Sequence, residues 1–380
     1  MAKILFLVTE DWFFASHFGP IVKAARDCSL DVVVATRVDR HRQVLEQRGC
    51  RVVPLPVRRQ KLGPIALVRE LAAITRLIRS ERPDIVHCIA LRMVFLGGIA
   101  CRITGVRRLV LDVPGLGTLW SNADTGSVGG RALVRWLVRW LVAGGACMVF
   151  ENHEDPKELG FEPDAANVTV IAGSGVDPAA FQPTPEPSAP PVKFAVVSRM
   201  LRTKGIAEAV AATRLVRAEG AAIELHLFGT PDLGNRDSCT EAELRAWSAE
   251  PGIHWHGRTD NVAQVWRDHH VAMLLTTYRE GMPRALAEAA AAGRPIITTD
   301  VPGCREIVRD GIEGFLVAPR QSEAAAVALR RLATDQPLRR RMGDAAHARF
   351  RQGFTEADVR EKIGGLYRAL ASTATRSPQS

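Results

Sequence analysis

The sequence has no paired cysteines and no recognisable spacing of metal ligands. Its seven cysteines are scattered without a C-x-x-C pair, and its ten histidines form no metal-binding pattern. Most of the cysteines lie in apolar contexts, which favours buried free thiols in a reducing cytosol over disulfides or zinc. We therefore expect no structural metal.

Long apolar runs are also absent. No uncharged apolar stretch reaches the roughly 18 residues of a membrane-spanning helix. The apolar stretch Ile4 to Val8 is too short for a secretory signal, and Glu10 and Asp11 follow it at once. We therefore expect a cytoplasmic protein without a membrane span.

The phosphate-binding pattern G-x-x-x-x-G-K is missing as well. The net charge of +9 and the pI near 9.6 nevertheless favour anionic partners, such as nucleotides, phosphorylated lipids, membrane surfaces or nucleic acid. Nucleic acid is disfavoured because the arginines are spread through predicted helices instead of clustering on one face. The length of 380 residues suits two domains.

Strands and helices alternate in both halves of the sequence, which predicts α/β domains with parallel sheets. The segment Gln182 to Pro191 has five prolines in ten residues and is typical of a linker. We predict an N-terminal domain over 1–180, a linker over 181–191, a second domain over 192–355 and a C-terminal helix and tail over 356–380. Ligands of such sheets bind beyond the carboxyl ends of the strands. In the first half these positions are 10–17, 88–92 and 114–120.

One stretch of the second half, 278–302, combines an acidic loop with a helix start, and a predicted buried strand, Val271 to Thr277, precedes it. Glu280 precedes Gly281, Met282 and Pro283, which open the helix, and Glu288 lies further along it. A helix N-terminus favours phosphate, and two glutamates about 12 Å apart, at about 1.5 Å of rise per residue, could contact a nucleotide sugar. A solvated pair of surface glutamates is the alternative.

A second candidate, the turn 198–205, follows the first strand of this half. It carries Arg199, Lys204 and Gly205, a set of residues that could bind a diphosphate. A basic turn of this kind can also be simply solvated.

The helix RALVRWLVRWLV, 131–142, has an arginine stripe of Arg131, Arg135 and Arg139. Its apolar residues include Leu133 and Trp136. Such a helix suits the interface of an anionic membrane, and the alternative is a core-facing helix whose arginines pair with local acids.

The second half closely resembles the family 4 glycosyltransferases, which are retaining enzymes of the GT-B architecture with two Rossmann-like domains. The matching motifs are SRMLRTKG (198–205), LFG (227–229), YREGMPRALAEAAAAGRPIITTDVPGCREIV (278–308) and DGIEGFLV (310–317). The first half resembles transferases of capsule and O-antigen assembly, which extend sugars on undecaprenyl diphosphate. Its motifs are TEDWFFASHF (9–18), PDIVHC (83–88), GLGTLW (115–120) and VFENHEDPKELG (149–160).

The resemblance implies a role for each matching residue. Arg199 and Lys204 would hold the diphosphate of the donor, Glu280 would contact the donor sugar, and Glu288 would contact the ribose. Gly229 would allow close approach to the nucleotide, and Gly281, Met282 and Pro283 would face the diphosphate. The implied donor is a UDP-sugar, with no metal and no further cofactor, because cationic side chains and the helix dipole take the place of a metal.

The implied acceptor is a lipid-linked saccharide at the inner face of the cell membrane, where the protein would be peripheral. The family architecture also implies that the C-terminal helix returns to the first domain.

The sequence departs from the family on the acceptor side. Many relatives have a histidine after the strand that here spans Leu109 to Val113, and this chain has none there. His17, His87 and Asp112 are the candidates for the acceptor side, although each could instead be a capping or core residue. The missing histidine also motivates the alternative of a non-catalytic subunit that binds nucleotide sugars.

Overall fold

The computed structural model of this chain describes residues 1–57, 63–117, 120, 126–232 and 234–372, without the side chains of 126–128. The chain divides into two compact units. The first domain comprises Met1–Gly175 and the C-terminal segment from Glu356, and the second domain comprises Val176–Thr355. Positions 118 and 119 of the GLGTLW motif lie outside the described residues.

The first domain contains a seven-stranded parallel sheet in the order β3-β2-β1-β4-β5-β6-β7. The strands are β1 (Lys3–Glu10), β2 (Asp31–Arg37), β3 (Arg51–Pro54), β4 (Ile85–Ile89), β5 (Leu109–Val113), β6 (Cys147–Phe150) and β7 (Val168–Val170). The described helices are α1 (Asp11–His17), α2 (Gly19–Asp27), α3 (Arg42–Gln47), α4 (Pro64–Glu81), α5 (Ala90–Thr104), α6 (Gly126–Val142), α7 (Asp155–Leu159) and α15 (Glu356–Ser372).

Both faces of this sheet are covered, which explains why β1 is a continuous apolar run. Leu5 and Leu7 belong to the core on one face, and Ile4 and Phe6 belong to the core on the other. The second core includes Tyr367 of α15. The C-terminal helix therefore packs on the first domain, as the family resemblance implies.

The second domain contains a six-stranded parallel sheet in the order β10-β9-β8-β11-β12-β13. The strands are β8 (Val192–Val197), β9 (Ile223–Phe228), β10 (Ile253–Gly257), β11 (Val271–Leu274), β12 (Ile296–Thr299) and β13 (Gly314–Val317). The helices are α8 (Ile206–Ala218), α9 (Glu241–Ser248), α10 (Val262–Asp268), α11 (Arg284–Ala291), α12 (Pro302–Ile307), α13 (Ser322–Thr334) and α14 (Gln336–Phe350). Two Rossmann-like α/β domains with parallel sheets confirm the predicted fold class.

The proline-rich segment 182–191 lies within the second domain and is attached to it by buried arginines. Arg294 donates hydrogen bonds to the Thr184 hydroxyl at 2.7 Å and to the Pro185 carbonyl oxygen at 3.3 Å. Arg339 donates to the Glu186 carboxylate at 3.1 Å. These contacts fix the first half of the segment against the domain that follows it.

The stretch after β1, one of the positions at which the sequence predicts ligand binding, forms a short helix over Asp11–His17. Phe14 and Ala15 face the core, so this segment buries apolar surface as a loop would not. Asp11 is fully buried and accepts hydrogen bonds from the backbone N–H groups of Asp39 and His41, at 2.8 and 2.9 Å. Among the described helices of the chain, none combines the length and the apolar character needed to cross a membrane.

Candidate donor and acceptor sites

Lys204 and Glu280 meet at the switch point of the second sheet. Strands β8 and β11 are neighbours in the sheet, although three helices and two strands separate them in sequence. The chain leaves β8 towards Lys204 and leaves β11 towards Glu280. Because the carboxyl ends of parallel strands share one edge, the two side chains form an ion pair there.

The turn that contains Lys204 must be followed by a glycine. Residues 202–204 form one short 3-10 turn, and Gly205 then adopts φ +73°. A Cβ atom on Gly205 would lie 1.9 Å from the Leu275 carbonyl oxygen, so only glycine lets the turn pass so close to the end of β11. The Thr277 N–H completes the contact by donating to the Thr203 carbonyl oxygen at 2.8 Å. This packing places Lys204 beside Glu280.

The buried hydroxyl of Thr276 fixes the Glu280 carboxylate. The Thr276 hydroxyl is fully buried and lies 3.0 Å from Glu280 Oε1 and 3.1 Å from the Thr203 carbonyl oxygen. The side chains of Lys204 and Glu280 are only 13% and 10% exposed. The pair is therefore held in one geometry at the rim of the core.

The surroundings keep Lys204 charged. Burial lowers the pKa of Lys204, but the Glu280 carboxylate and the Tyr278 hydroxyl outweigh burial and raise that pKa to about 12. The Lys204 Nζ also lies 5.3 Å from the centre of the Tyr278 ring, within the range of a cation–π contact. A permanent cation in a poorly solvated position is suited to binding a phosphate group.

Arg199 is at the same edge of the sheet but has a different partner. Its guanidinium donates to the Asp232 carboxylate at 2.9 Å, and its side chain is 43% exposed. The sequence predicts Arg199 and Lys204 as one diphosphate clamp. In the structure Lys204 is paired with Glu280, whereas Arg199 is paired with Asp232.

The glycines of the predicted donor site are positions of close backbone approach. Gly229 has φ +143°, and a Cβ atom there would lie 1.8 Å from the Ser198 carbonyl oxygen. Gly281 packs against α12, because a Cβ atom on Gly303 would lie 1.5 Å from the Gly281 carbonyl oxygen. The loop after Glu280 is therefore supported by a second helix.

The helix after the acidic loop begins at Arg284, with Pro283 as its N-cap residue and Met282 buried before it. Glu288 is 6% exposed and accepts a hydrogen bond from Arg284 Nε at 2.7 Å. Burial raises the pKa of Glu288, and Arg284 partly offsets that effect. Glu288 is therefore a buried, paired carboxylate one turn into α11.

Two of the three acceptor-side candidates share a recess of the first domain. It is lined by His17, Phe18, Ile21, Asp112, Val149, Glu151, Ile171, Gly173 and Ser174. His17 closes α1, where its Nδ1 atom lies 2.6 Å from the Ser16 hydroxyl. Asp112 comes from β5, so the recess lies at the carboxyl edge of the first sheet.

His87 lies behind this recess and is fully buried. Its Nε2 atom is 3.2 Å from Asp112 Oδ2, and its Nδ1 atom is 2.7 Å from the Tyr367 hydroxyl. In this geometry His87 contacts Asp112 and the C-terminal helix and has no exposed surface. Its position suits a residue that orients Asp112.

Sequence reasoning missed Thr276, Asp232 and Tyr278, which surround the predicted donor residues. Thr276 and Tyr278 both come just before Glu280 in the sequence, and their position at the carboxyl end of a buried strand is the signal that could have identified them. Asp232 follows Gly229 by three residues, but no pattern links it to Arg199. Only the fold brings that pair together.

Two family models match the sequence, one in each half. Residues 180–349 match the family model described as Glycosyl transferases group 1, and residues 3–145 match the model described as Glycosyl transferase 4-like. EpsD of Bacillus subtilis (strain 168), provisionally named a glycosyltransferase, is 24% identical over 395 residues, with 98% of each chain covered.

A relative from Campylobacter jejuni is the N,N'-diacetylbacillosaminyl-diphospho-undecaprenol alpha-1,3-N-acetylgalactosaminyltransferase. It is 21% identical over 349 residues, which cover 86% of this chain and 90% of the relative. The structure of Anabaena HepE in complex with UDP-glucose superposes with a TM-score of 0.73 at 18% identity and covers 97% of this chain and 100% of that one. That structural likeness shows the GT-B fold.

Proposed function

We propose that this chain transfers a sugar from a UDP-sugar to a hydroxyl of a lipid-diphosphate-linked saccharide. The chain is a glycosyltransferase whose two domains belong to the 4-like and group 1 families. The transferred sugar is a hexose or an N-acetylhexosamine, and the pathway is the biosynthesis of a bacterial surface polysaccharide. The observation that carries the proposal is the Lys204–Glu280 ion pair at the switch point of the second sheet.

The ion pair supplies the two groups that a sugar diphosphate needs. Lys204 neutralises the charge that grows on the diphosphate as it leaves, and Glu280 accepts hydrogen bonds from sugar hydroxyls. Thr276 and Tyr278 fix both side chains before the donor arrives. Arg199 can exchange its exposed contact with Asp232 for a contact with the donor at little cost, because surface ion pairs are weak.

The transfer retains the configuration of the sugar without a covalent intermediate and without a metal. The bond between the anomeric carbon and the phosphate oxygen breaks, and the acceptor oxygen bonds to the same face of that carbon. The proton of the acceptor hydroxyl moves to the departing phosphate oxygen, so UDP is released protonated on that oxygen. Glu280 orients the sugar instead of attacking it.

The acceptor binds at the first domain. The recess that contains His17 and Asp112 lies at the carboxyl edge of the first sheet, where ligands of parallel sheets bind. The Campylobacter relative, by its name, acts on a diphospho-undecaprenol saccharide. A lipid-linked acceptor also suits α6, whose exposed apolar side chains Leu133 and Trp136 would lie against the inner face of the membrane.

The test is a calorimetric screen of nucleotide sugars, followed by turnover with the preferred donor and an undecaprenyl-diphosphate saccharide. We expect one UDP-sugar to bind, UDP to be released in the presence of EDTA, and the product to have the anomeric configuration of the donor. An inverted product or a glycosyl adduct on Glu280 would refute the mechanism. Binding without turnover on any lipid-linked acceptor would favour the non-catalytic subunit.

A further inference from the structure

Three polar side chains converge on one face of strands β9 and β10. Glu224 and His226 alternate along β9, and His254 is the cross-strand partner of His226 in β10. The alternate residues of β9, Ile223, Leu225 and Leu227, belong to the hydrophobic core on the opposite face of the sheet. The alternation of the strand therefore directs both polar residues of β9 to the same side.

The three side chains are close enough to share one ion. One ligand atom from each, an imidazole nitrogen of either histidine and a carboxylate oxygen of Glu224, lies within 4.8 Å of the other two. His226 Nε2 is 3.1 Å from Glu224 Oε2, and the rings of His226 and His254 are 4.8 Å apart. Small side-chain rotations would bring all three atoms to the distance of about 2 Å at which imidazole and carboxylate bind zinc.

Two further histidines, His256 and His269, lie against the cluster. The second ring nitrogen of His226, Nδ1, lies 2.9 Å from His256 Nε2. The ring of His269, which follows α10, lies edge-on to the His226 ring with the two centres 4.6 Å apart. A metal-bound histidine typically uses its other nitrogen in a hydrogen bond that fixes the ring, and His256 provides that partner.

We propose that Glu224, His226 and His254 form a binding site for a divalent transition metal ion of the zinc class. Two imidazoles and one carboxylate are three of the four ligands of a tetrahedral zinc site, and water supplies the fourth. The strand register fixes the spacing of His226 and His254, so the backbone itself preorganises the site.

The role of this ion is structural. Strand β10 is at the edge of the sheet, and its described strand neighbour is β9 alone. An ion held by residues of both strands ties the edge strand to the sheet, and it stabilises the second domain in proportion to the logarithm of the free metal concentration. This role is separate from transfer at Lys204 and Glu280, which requires no metal.

The experiment uses the full chain without a polyhistidine tag, stripped of metal by dialysis against a chelator. Zinc chloride is titrated by calorimetry while the unfolding temperature is followed, and cobalt chloride is titrated by absorption. We expect one metal equivalent per chain, a rise of the unfolding temperature with metal, and a cobalt spectrum typical of nitrogen and oxygen ligands. His254→Gln and Glu224→Gln should each weaken binding by at least about tenfold.

His153→Gln is the matched control, since His153 is an exposed histidine of the first domain, and it should bind metal like the wild type. Circular dichroism without metal establishes that each variant is folded, and Glu224, partly exposed, provides a second variant where His254→Gln fails that check. Absence of metal binding by the wild type would overturn the proposal. So would unchanged affinity in the folded variants, or thiolate bands in the cobalt spectrum, which would assign the metal to cysteine.

Discussion

The ion pair between Lys204 and Glu280 joins two loops that lie 76 residues apart in the sequence. Each loop follows a central strand of the second sheet, and each is fixed by contacts of its own, Gly205 on one side and Thr276 on the other. The pair therefore stabilises the junction of the loops, and in the proposed reaction it also presents a cation and a carboxylate to the donor. Experiments can separate these two roles.

Removal of either partner tests both functions. Lys204→Ala and Glu280→Ala should abolish turnover. Each should also lower the free energy of unfolding by about 3 kcal/mol, because one charge is left buried without its partner. The double variant should lose clearly less than the sum of the single losses, as measured by urea denaturation. Additive losses would mean that the two side chains do not interact in solution.

The sequence predicts the strands of the site better than its contacts. The bounds of β5, Leu109 to Val113, are predicted residue for residue, since this strand is a short and mostly apolar run. The pairing of Arg199 with Asp232 is not predicted, because it depends on where two loops meet after the sheet has formed. The contact of His87 with Tyr367 is not predicted for the same reason, since Tyr367 comes from the far end of the chain.

The histidine cluster on β9 and β10 shows the same limit. Sequence spacing reveals a metal site when the ligands fall into short, regularly spaced motifs. Here the two histidines are 28 positions apart in the sequence and become neighbours through parallel strand pairing. Without the strand register, the ten histidines form no pattern.

Thr276→Val should reduce catalysis by misplacing Glu280. The change removes the hydroxyl that lies 3.0 Å from Glu280 Oε1, so we expect a fall in kcat of at least about tenfold. The matched control is Thr298→Val, since Thr298 is also fully buried and donates its hydroxyl to a backbone carbonyl, that of Leu274. Both variants should lose about 1 kcal/mol of stability, and only Thr276→Val should lose activity. Equal activity in the two variants would contradict the role of Thr276.

Gly303→Ala should displace the acidic loop. A methyl group at this position would lie 1.5 Å from the Gly281 carbonyl oxygen, so the backbone of the loop must move. We expect donor affinity, measured by calorimetry, to fall by at least about tenfold. Gly365→Ala is the control, because Gly365 is an exposed helical glycine with no heavy atom within 4 Å of the new methyl group. It should leave donor affinity unchanged and stabilise the protein by about 0.5 kcal/mol.

In acid, the free energy of unfolding of the second domain should depend on whether the Glu243 carboxylate is protonated. Hydrogen bonds from the Thr240 backbone N–H, from Arg202 and from the Thr240 hydroxyl lower the pKa of Glu243 to about 2, from 4.5. A lowered pKa means that the stabilisation is complete above pH 4.5 and is lost as the pH falls from 4.5 through about 2. Glu243→Gln should therefore show a flatter fall of stability in that range, with a loss of about 1 kcal/mol at pH 7 from the weakened helix cap.

Glu241→Gln removes the same charge from the same helical turn and serves as the control. Its pH dependence, measured by thermal unfolding, should follow the wild type. An identical acid profile for Glu243→Gln and the wild type would show that Arg202 and Thr240 do not hold the carboxylate in solution.

The proposed membrane contact of the first domain rests on one face of α6. Leu133 and Trp136 are 61% and 63% exposed, whereas Val134 and Val138 on another face are buried. Arg135 is tied to the domain, because it donates to the Glu158 carbonyl oxygen at 2.6 Å, and its side chain is 44% exposed. Trp140 is partly covered by Arg102, whose guanidinium carbon lies 4.6 Å from the ring centre. The apolar face therefore consists mainly of Leu133 and Trp136.

Replacement of these two residues should weaken binding to vesicles that contain anionic lipid. Burial of one large apolar side chain contributes about 2 kcal/mol, so Leu133→Gln combined with Trp136→Gln should reduce flotation at least about tenfold. The control is Ile312→Gln combined with Val327→Gln, which removes two exposed apolar side chains from the second domain, where they are 46% and 52% exposed. Added salt should weaken flotation of the wild type, since exposed arginines are screened. If both double variants float like the wild type, α6 is not the membrane contact. The lipid-linked acceptor must then reach the first domain by another surface.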